Sequence, residues 1–267
     1  MAAIVEIKRK IEGIKKLEKI TNVMKIIAVS KINKYKQLFL QNSDFNEILY
    51  RIISQTIPFC DKEKNQSNST LWIIFSSSLG MAGNFNLNIF KNLSQNVKPE
   101  DKIIIFGKKG MNFISAKKLN QSTLFSSSIS EKEFTYFQLT SLVKKIFYSY
   151  KKNMFGNISL IYSKFERQKV KCTNVSIFPL IIDKNTISDF NYNFEQQPEI
   201  IYEKTIKFYL QSMIYSAFIE SKFCEQVSRK NAMMEANDNI TKTITELKNQ
   251  YNKKRQEKIT NELAKVI

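Results

Sequence analysis

The chain has 267 residues, 43% of them hydrophobic and 12% aromatic, enough to bury a sizeable core in one large domain or two moderate ones. Only 6 Gly and 4 Pro are spread along it, so no segment has the composition of a long flexible linker or a collagen-like repeat. Its 42 Lys and Arg against 24 Asp and Glu give a net charge of +18, which attracts nucleic acid, anionic lipid or acidic protein, while the complete lack of histidine removes the commonest general base and most transition-metal sites.

The opening MAAIVEIKRK puts charges where a signal peptide needs its apolar stretch. Apolar residues then recur at Ile4, Ile7, Ile11, Ile14, Leu17, Ile20, Met24 and Ile27, a helical stripe opposite a Lys-rich face. Three successive steps of three from Ile11 to Ile20 predict a broken heptad there. Lys8, Arg9, Lys10, Lys15, Lys16, Lys19, Lys25 and Lys31 would suit a nucleic-acid footprint, but interleaved aromatics for base stacking are missing, and solvated flanks of a coiled-coil helix explain them better.

From about residue 71 the runs LWIIF, KIIIFGKKG, ISLIYSKF and VKCTNVSIFPL predict strands. Between them LNIFKNLSQN, MNFISAKKL and FTYFQLTSLVKKIFYSYKKN predict helices, so the middle reads as a small α/β sheet with parallel strands. The polar stretch 61–70 marks its N-terminal boundary. SSSLGMAGNFN places Gly80 and Gly83 at a GxxG spacing that could cradle a phosphate, yet it lacks a Rossmann or P-loop fingerprint and reads as a tight strand-to-helix turn. Lys108 and Lys109 in FGKKG read as a solvated strand end, and the serines at 76–78 have neither an elbow motif nor a histidine partner. Cys60, Cys172 and Cys224 are far apart and odd in number, which fits a reducing compartment and neither a disulfide framework nor a zinc site.

Pro198 suits a helix start, and helical spacing runs on to the end through Tyr202, Ile206, Tyr209, Met213, Ile240, Ile244, Leu247, Tyr251, Ile259 and Leu263. About 65 residues at 1.5 Å each span close to 100 Å. Two long end helices can bury their stripes only against each other or another chain, and an antiparallel hairpin is the natural pairing. The expected fold is therefore α/β: a long antiparallel coiled coil of the N- and C-terminal helices with an inserted Rossmann-like α/β domain. The expected division is 1–60, 61–197 and 198–267. No run approaches a membrane span.

KITNVMKIIAVSKINK near the start and CEQVSRKNAMMEANDNI followed by YNKKRQEKITNEL at the end resemble the two signature helices of the gamma subunit of F-type ATP synthases. SSLGMAGNFN, IIIFGKKG, LIYSKFERQ and PLIIDK fall in the family's order between them, so the resemblance spans nearly the whole chain. It implies a central rotor shaft, without catalytic, cofactor-binding or metal residues of its own, inside a hexamer of alternating alpha and beta subunits that hold the active sites. By motif matching it further implies that Arg255, Gln256, Thr260 and Glu262, with Met24 and Arg229 lower down, contact beta subunits. Epsilon and a membrane rotor ring would meet the foot, placing the complex peripherally on the cytoplasmic side of the cell membrane. The family's SDRGLCG stands here as SSLGMAG, and its Gly-Gly-Ala ending is absent after AKVI. Two readings of the resemblance remain: an ordinary ATP synthase rotor of an AT-rich bacterium, and the shaft of a paralogous F-type-like ATPase motor in a mollicute, driven by ATP hydrolysis and coupled to surface or gliding machinery with a different foot partner. A basic nucleic-acid-binding coiled coil is the remote third, and it leaves the terminal motif unexplained.

Overall fold

The computed structural model describes residues 2–57, 67–119, 123–127, 134, 136–180 and 195–263, with the side chains of 2, 3, 126, 127, 262 and 263 outside that set. Helix α1 runs unbroken over Ala2–Thr56 and helix α5 over Pro198–Leu263, 55 and 66 residues. At 1.5 Å per residue each is about 80 to 100 Å long. Pro198 opens α5 where its missing N–H is no loss. The Gln197 carbonyl then accepts from the N–H groups of Ile200 and Ile201 at 3.0 and 3.3 Å.

Between them lie β1 (Thr70–Phe75), α2 (Phe85–Asn96), β2 (Lys102–Phe106), α3 (Lys108–Ala116), β3 (Thr123–Ser127), α4 (Leu139–Lys151), β4 (Asn157–Glu166) and β5 (Lys169–Phe178). Among the described residues the sheet has five strands in the order β3-β2-β1-β4-β5, parallel except for the antiparallel β4–β5 hairpin. The β4–β5 turn uses left-handed Arg167 and Gln168, with φ of 46° and 64°. β3 was not expected. Its sequence, TLFSS, has too few apolar or β-branched residues to announce a strand.

The two faces of the sheet follow strand alternation. Trp72, Ile74, Ile103, Ile105 and Ile161 pack with Phe85, Ile89 and Leu93 of α2 and Ile114 of α3. Leu71, Ile73, Phe75, Ile104, Phe106, Leu160 and Tyr162 pack with Val143 and Ile146 of α4 and Leu210, Ile214 and Phe218 of α5. The long C-terminal helix is thus a core element of the sheet domain as well as half of the rod. Residues 134 and 136–138 lie before α4, which starts later than the expected helix. The boundary stretch 61–70 and the PLIIDK segment lie mostly outside the described residues.

At the N-terminal edge of the sheet, buried Asp101 accepts from the N–H groups of Thr70 and Lys98 at 2.8 and 2.9 Å and from Trp72 Nε1 at 2.9 Å. At the opposite edge the β1–α2 turn is fixed by Asn86. Its Oδ1 accepts from Ser77 N at 3.1 Å, and its Nδ2 donates to Ser77 Oγ at 2.7 Å. The turn passes through Met81 at φ 59° and Gly83 at φ 54°.

A Cβ at position 83 would meet only Ala232, at ordinary contact distance, so the penalty of a substitution there comes from the left-handed backbone. Gly83→Ala is expected to lower the melting temperature by roughly 2–8 °C, about 1–2 kcal/mol in a domain of this size. An unchanged thermal melt would show that the turn relaxes to negative φ.

Candidate functional site

The rod is built on a heptad. Ile7, Ile14, Thr21, Ala28, Tyr35, Asn42 and Leu49 of α1 stand seven residues apart, and all are buried or half-buried. On α5 the same holds for Tyr209, Ser216, Phe223, Lys230, Asn237, Ile244 and Tyr251. The expected break near Ile14–Ile20 is therefore not observed. After Ile14 the seam passes to Thr21 and Ala28, and Leu17, Ile20 and Ile27 are left 54%, 55% and 50% exposed. The apolar pattern drifts off the seam while the seam itself keeps its period.

Two polar layers interrupt the seam. In the upper one Thr21 Oγ1 bonds to Asn237 Oδ1, and Asn237 Nδ2 donates to Asn22 Oδ1 at 2.7 Å. In the lower one Asn42 Nδ2 and Asn46 Nδ2 both donate to Ser216 Oγ, the second at 2.5 Å, and Ser212 Oγ donates to Asn42 Oδ1 at 3.4 Å. The same register, extended along the rod, sets Ala2 beside Gln256, so the last turns of α5 project past the start of α1.

Lower down, α5 crosses the C-terminal edge of the parallel strands. Doubly wound sheets take ligands at that edge, beside the strand where the order reverses, which here is β1. α5 fills the position: Ser221 Oγ donates to the Phe75 carbonyl at 3.4 Å, and Cys224 packs on Ile74 and Ala82. A buried charged cluster follows. Glu225 receives Lys222 Nζ and Arg229 Nη2, each at 2.7 Å. Arg229 Nη1 reaches Gln226 Oε1 at 3.0 Å and Nη2 the Gly80 carbonyl at 3.4 Å, while Arg229 Nε and Gln226 Nε2 are buried without an acceptor. Sequence reasoning marked Arg229 as a partner contact. The structure turns its guanidinium inward, 5% exposed, against the very GxxG turn that was weighed as a phosphate cradle.

The FGKKG stretch is likewise built into the fold. Gly107, at φ 100°, leads into α3, and Gly110 N donates to Ser76 Oγ at 3.0 Å. Burial pushes the Cys172 thiol up to about 11 and raises that of Cys224 as well, so neither is poised as a thiolate. A cavity of about 400 Å³ between the sheet and α4 is lined mainly by apolar groups, including Leu71, Phe106, Phe134 and Leu142, and among the described residues no carboxylate or thiol lines it. Among the described residues there is no group of three or more His, Cys, Asp or Glu placed to hold a metal, and no helix is long and apolar enough to cross a membrane.

At the projecting end of α5, Arg255, Gln256 and Thr260 are all exposed, and Thr260 Oγ1 donates to the Gln256 carbonyl at 3.1 Å, a bond internal to the helix. Glu262 lies in the last turn, and its side chain is outside the described set. Met24 is half-buried beside the seam. The sequence-derived set therefore does not converge on one pocket: four members lie at the end of the rod, one flanks it and one is internal. What surrounds the upper rod is a collar of exposed cations, Lys8, Arg9, Lys15, Lys16 and Lys19 on α1 and Lys242, Lys248, Lys253 and Lys254 on α5. Set into it is an apolar band, Leu17, Ile20, Val23, Ile26 and Ile27. Such a surface suits binding to a large apolar and acidic sleeve.

A family model described as ATP synthase matches residues 3–267. The ATP synthase gamma chain of Malacoplasma penetrans (strain HF-2) is 33% identical over 280 residues, covering 100% of this chain and 98% of that one. The ATP synthase gamma chain of Mycoplasmopsis pulmonis (strain UAB CTIP) is 32% identical over 283 residues with the same coverage. Among solved structures, the rotor of the Euglena gracilis mitochondrial ATP synthase matches with a TM-score of 0.70 at 19% identity, covering 97% of this chain and 99% of that one. A chain of the same enzyme's OSCP/F1/c-ring assembly matches with 0.72 at 19% identity, covering 99% and 92%. At those identities the structural likeness speaks for the fold.

Ile244, 7% exposed, is the most buried apolar residue of the upper seam. Ile244→Asp places a charge in that seam and should cost about 3 kcal/mol or more. Amide exchange is expected to lose protection above Asn237 while the sheet domain keeps its own; unaltered protection would refute the seam assignment. Arg229→Ala leaves Glu225 with one cation in a buried site and should destabilise the isolated chain by about 3–5 kcal/mol in urea titrations. A loss below about 1 kcal/mol would mean that the guanidinium is not needed for the fold.

Proposed function

The chain belongs to the ATP synthase gamma family, and on that premise we propose that it works as the central rotor shaft of an F-type rotary ATPase, turning inside a hexamer of alpha and beta subunits. The observation that carries the reading is the match to gamma chains along the full length of both partners, in a chain whose two end helices pair as one rod. The sheet domain inserted between those helices forms the foot, with 1–60 and 198–267 as shaft and 61–197 as foot. It is there that a membrane rotor ring and an epsilon subunit would attach. The complex then lies peripherally on the cytoplasmic face of the cell membrane.

On this reading the chain performs no bond chemistry. Its work is conformational: a rod without threefold symmetry presents a different surface to each of three identical beta subunits, so their nucleotide sites differ in free energy and exchange roles as the rod turns. Stiffness comes from the paired helices. The collar of lysines attracts acidic loops through exposed ion pairs, which are individually weak and so can be exchanged during rotation. The apolar band Leu17–Ile27 is non-directional in its attraction and has no hydrogen bonds to break at each step.

Arg255, Gln256, Thr260 and Glu262 at the projecting end, with Met24 lower down, are the proposed contacts to beta. The exposure of Arg255, Gln256 and Thr260 supports this, since none is used in the rod's own seam. Arg229 belongs to the same family set; its inward ion pair makes its part in the beta contact an indirect one, through the position of the Gly80 turn.

Replacing Arg255 and Gln256 together by Ala should weaken binding to a reconstituted alpha–beta complex at least tenfold, the equivalent of about one lost charge-assisted hydrogen bond. The melting temperature of the isolated chain should not change. Unchanged affinity would remove these two residues from the contact.

A further inference from the structure

The heptad seam carries a feature that neither the family nor the rotor role explains. Thr21 and Asn42 occupy the same heptad position on α1, three heptads apart. Their partners Asn237 and Ser216 are also separated by three heptads on α5. We propose that these two polar layers form a register lock that fixes how far one helix of the rod stands along the other.

A two-helix seam made only of Ile, Leu and Val is nearly self-similar on sliding by one heptad, and its apolar burial changes little. The upper seam is light: on α1, Ile7 and Ile14 above the upper layer are only half-buried and Ala28 fills little volume, whereas Tyr35, Leu49 and Ile53 lower down are buried in cores shared with α5. Apolar packing along the upper rod therefore discriminates poorly between registers. The polar layers discriminate strongly. With α5 moved by seven residues, Asn237 would face Ala28 or Ile14 rather than Thr21, and Ser216 would face Leu49 or Tyr35 rather than Asn42. Both layers would break at once, because their spacing is equal on the two helices. Each would leave amide groups in the seam without partners, and such groups are costly only where they are unpaired. Buried amides at one seam position are known to set register in coiled coils at some loss of stability.

Each layer is doubled. Asn46 backs Asn42 on Ser216, and Asn22 backs Thr21 on Asn237. The doubling makes the donor and acceptor pattern directional, so that no other pair of seam positions reproduces it. The consequence is positional: the lock sets the height at which Arg255 and Gln256 stand level with the start of α1 and Thr260 projects beyond it.

The test uses the full chain with Cys60, Cys172 and Cys224 replaced and spin labels at Lys8 and Asn231, positions offset by about 28 Å along the rod in the observed register. Dipolar distance distributions are compared for wild type and for Thr21→Val, Asn22→Ala and Asn237→Leu combined with Asn42→Leu, Asn46→Ala and Ser216→Ala. Ile14→Leu with Ile244→Leu serves as an all-apolar control. Wild type and control are expected to give one narrow distance. The six-fold variant is expected to keep its helical signal and melt no lower than wild type, yet show a second population displaced by about 10 Å, one heptad of rise. A single narrow distance at the wild-type position in that variant would overturn the proposal. So would loss of helical signal, which would make the layers a source of stability rather than of register. No partner subunit enters the measurement, so its outcome is independent of the rotor reading.

Discussion

Each end helix has one stripe that water disfavours, and each is far too long for any globular domain of this chain to cover. The antiparallel seam between α1 and α5 is the way the chain resolves that constraint, and much else follows from it. Since α1 ends and α5 begins at the same end of the rod, everything between them must sit there, and the sheet domain is placed at the foot by chain connectivity alone. Since α5 is also the wall of one sheet core, through Leu210, Ile214 and Phe218, the foot cannot turn without the rod.

The same sharing decides what the foot can do. A doubly wound sheet ordinarily offers a crevice at the C-terminal ends of its strands, and here Ser221, Cys224 and Arg229 of α5 occupy it. A fold that elsewhere binds nucleotides is used as a clamp. The Glu225 cluster, with two cations on one buried carboxylate and a link to the Gly80 carbonyl, fastens the β1–α2 turn to the shaft. Rotation of a stiff rod is useful only if the foot follows it, and buried, directional bonds hold an angle better than apolar contact does.

Periodicity made the two end helices, four of the five strands and the insertion between the helices legible in the sequence. It did not reveal β3, whose serines carry no strand signal, nor the start of α4, where an aromatic run before Leu139 imitates helical spacing. The heptad was hidden because its middle positions are Thr21, Ala28 and Asn42 and a search for apolar repeats skips all three. Asp101 was equally invisible, since its three donors come from a loop and from two positions of β1 far away in sequence. The proposed terminal contacts came from resemblance and not from physics: Arg255, Gln256 and Thr260 look like any solvated helix end. Arg229 showed the limit of that route, because motif matching gives a residue's position in a family and leaves open whether its side chain faces a partner or its own fold.

The central claim is that this rod turns inside a ring of alpha and beta subunits. The most direct measurement is purification of the native complex from membranes in mild detergent, followed by mass spectrometry of everything that travels with this chain. The account predicts alpha and beta in excess over the shaft, as three copies of each require, together with a membrane ring subunit. Alpha and beta accompanied by other membrane proteins without a ring would make the chain the shaft of a different ATP-driven motor, and a chain recovered without alpha or beta would contradict the account.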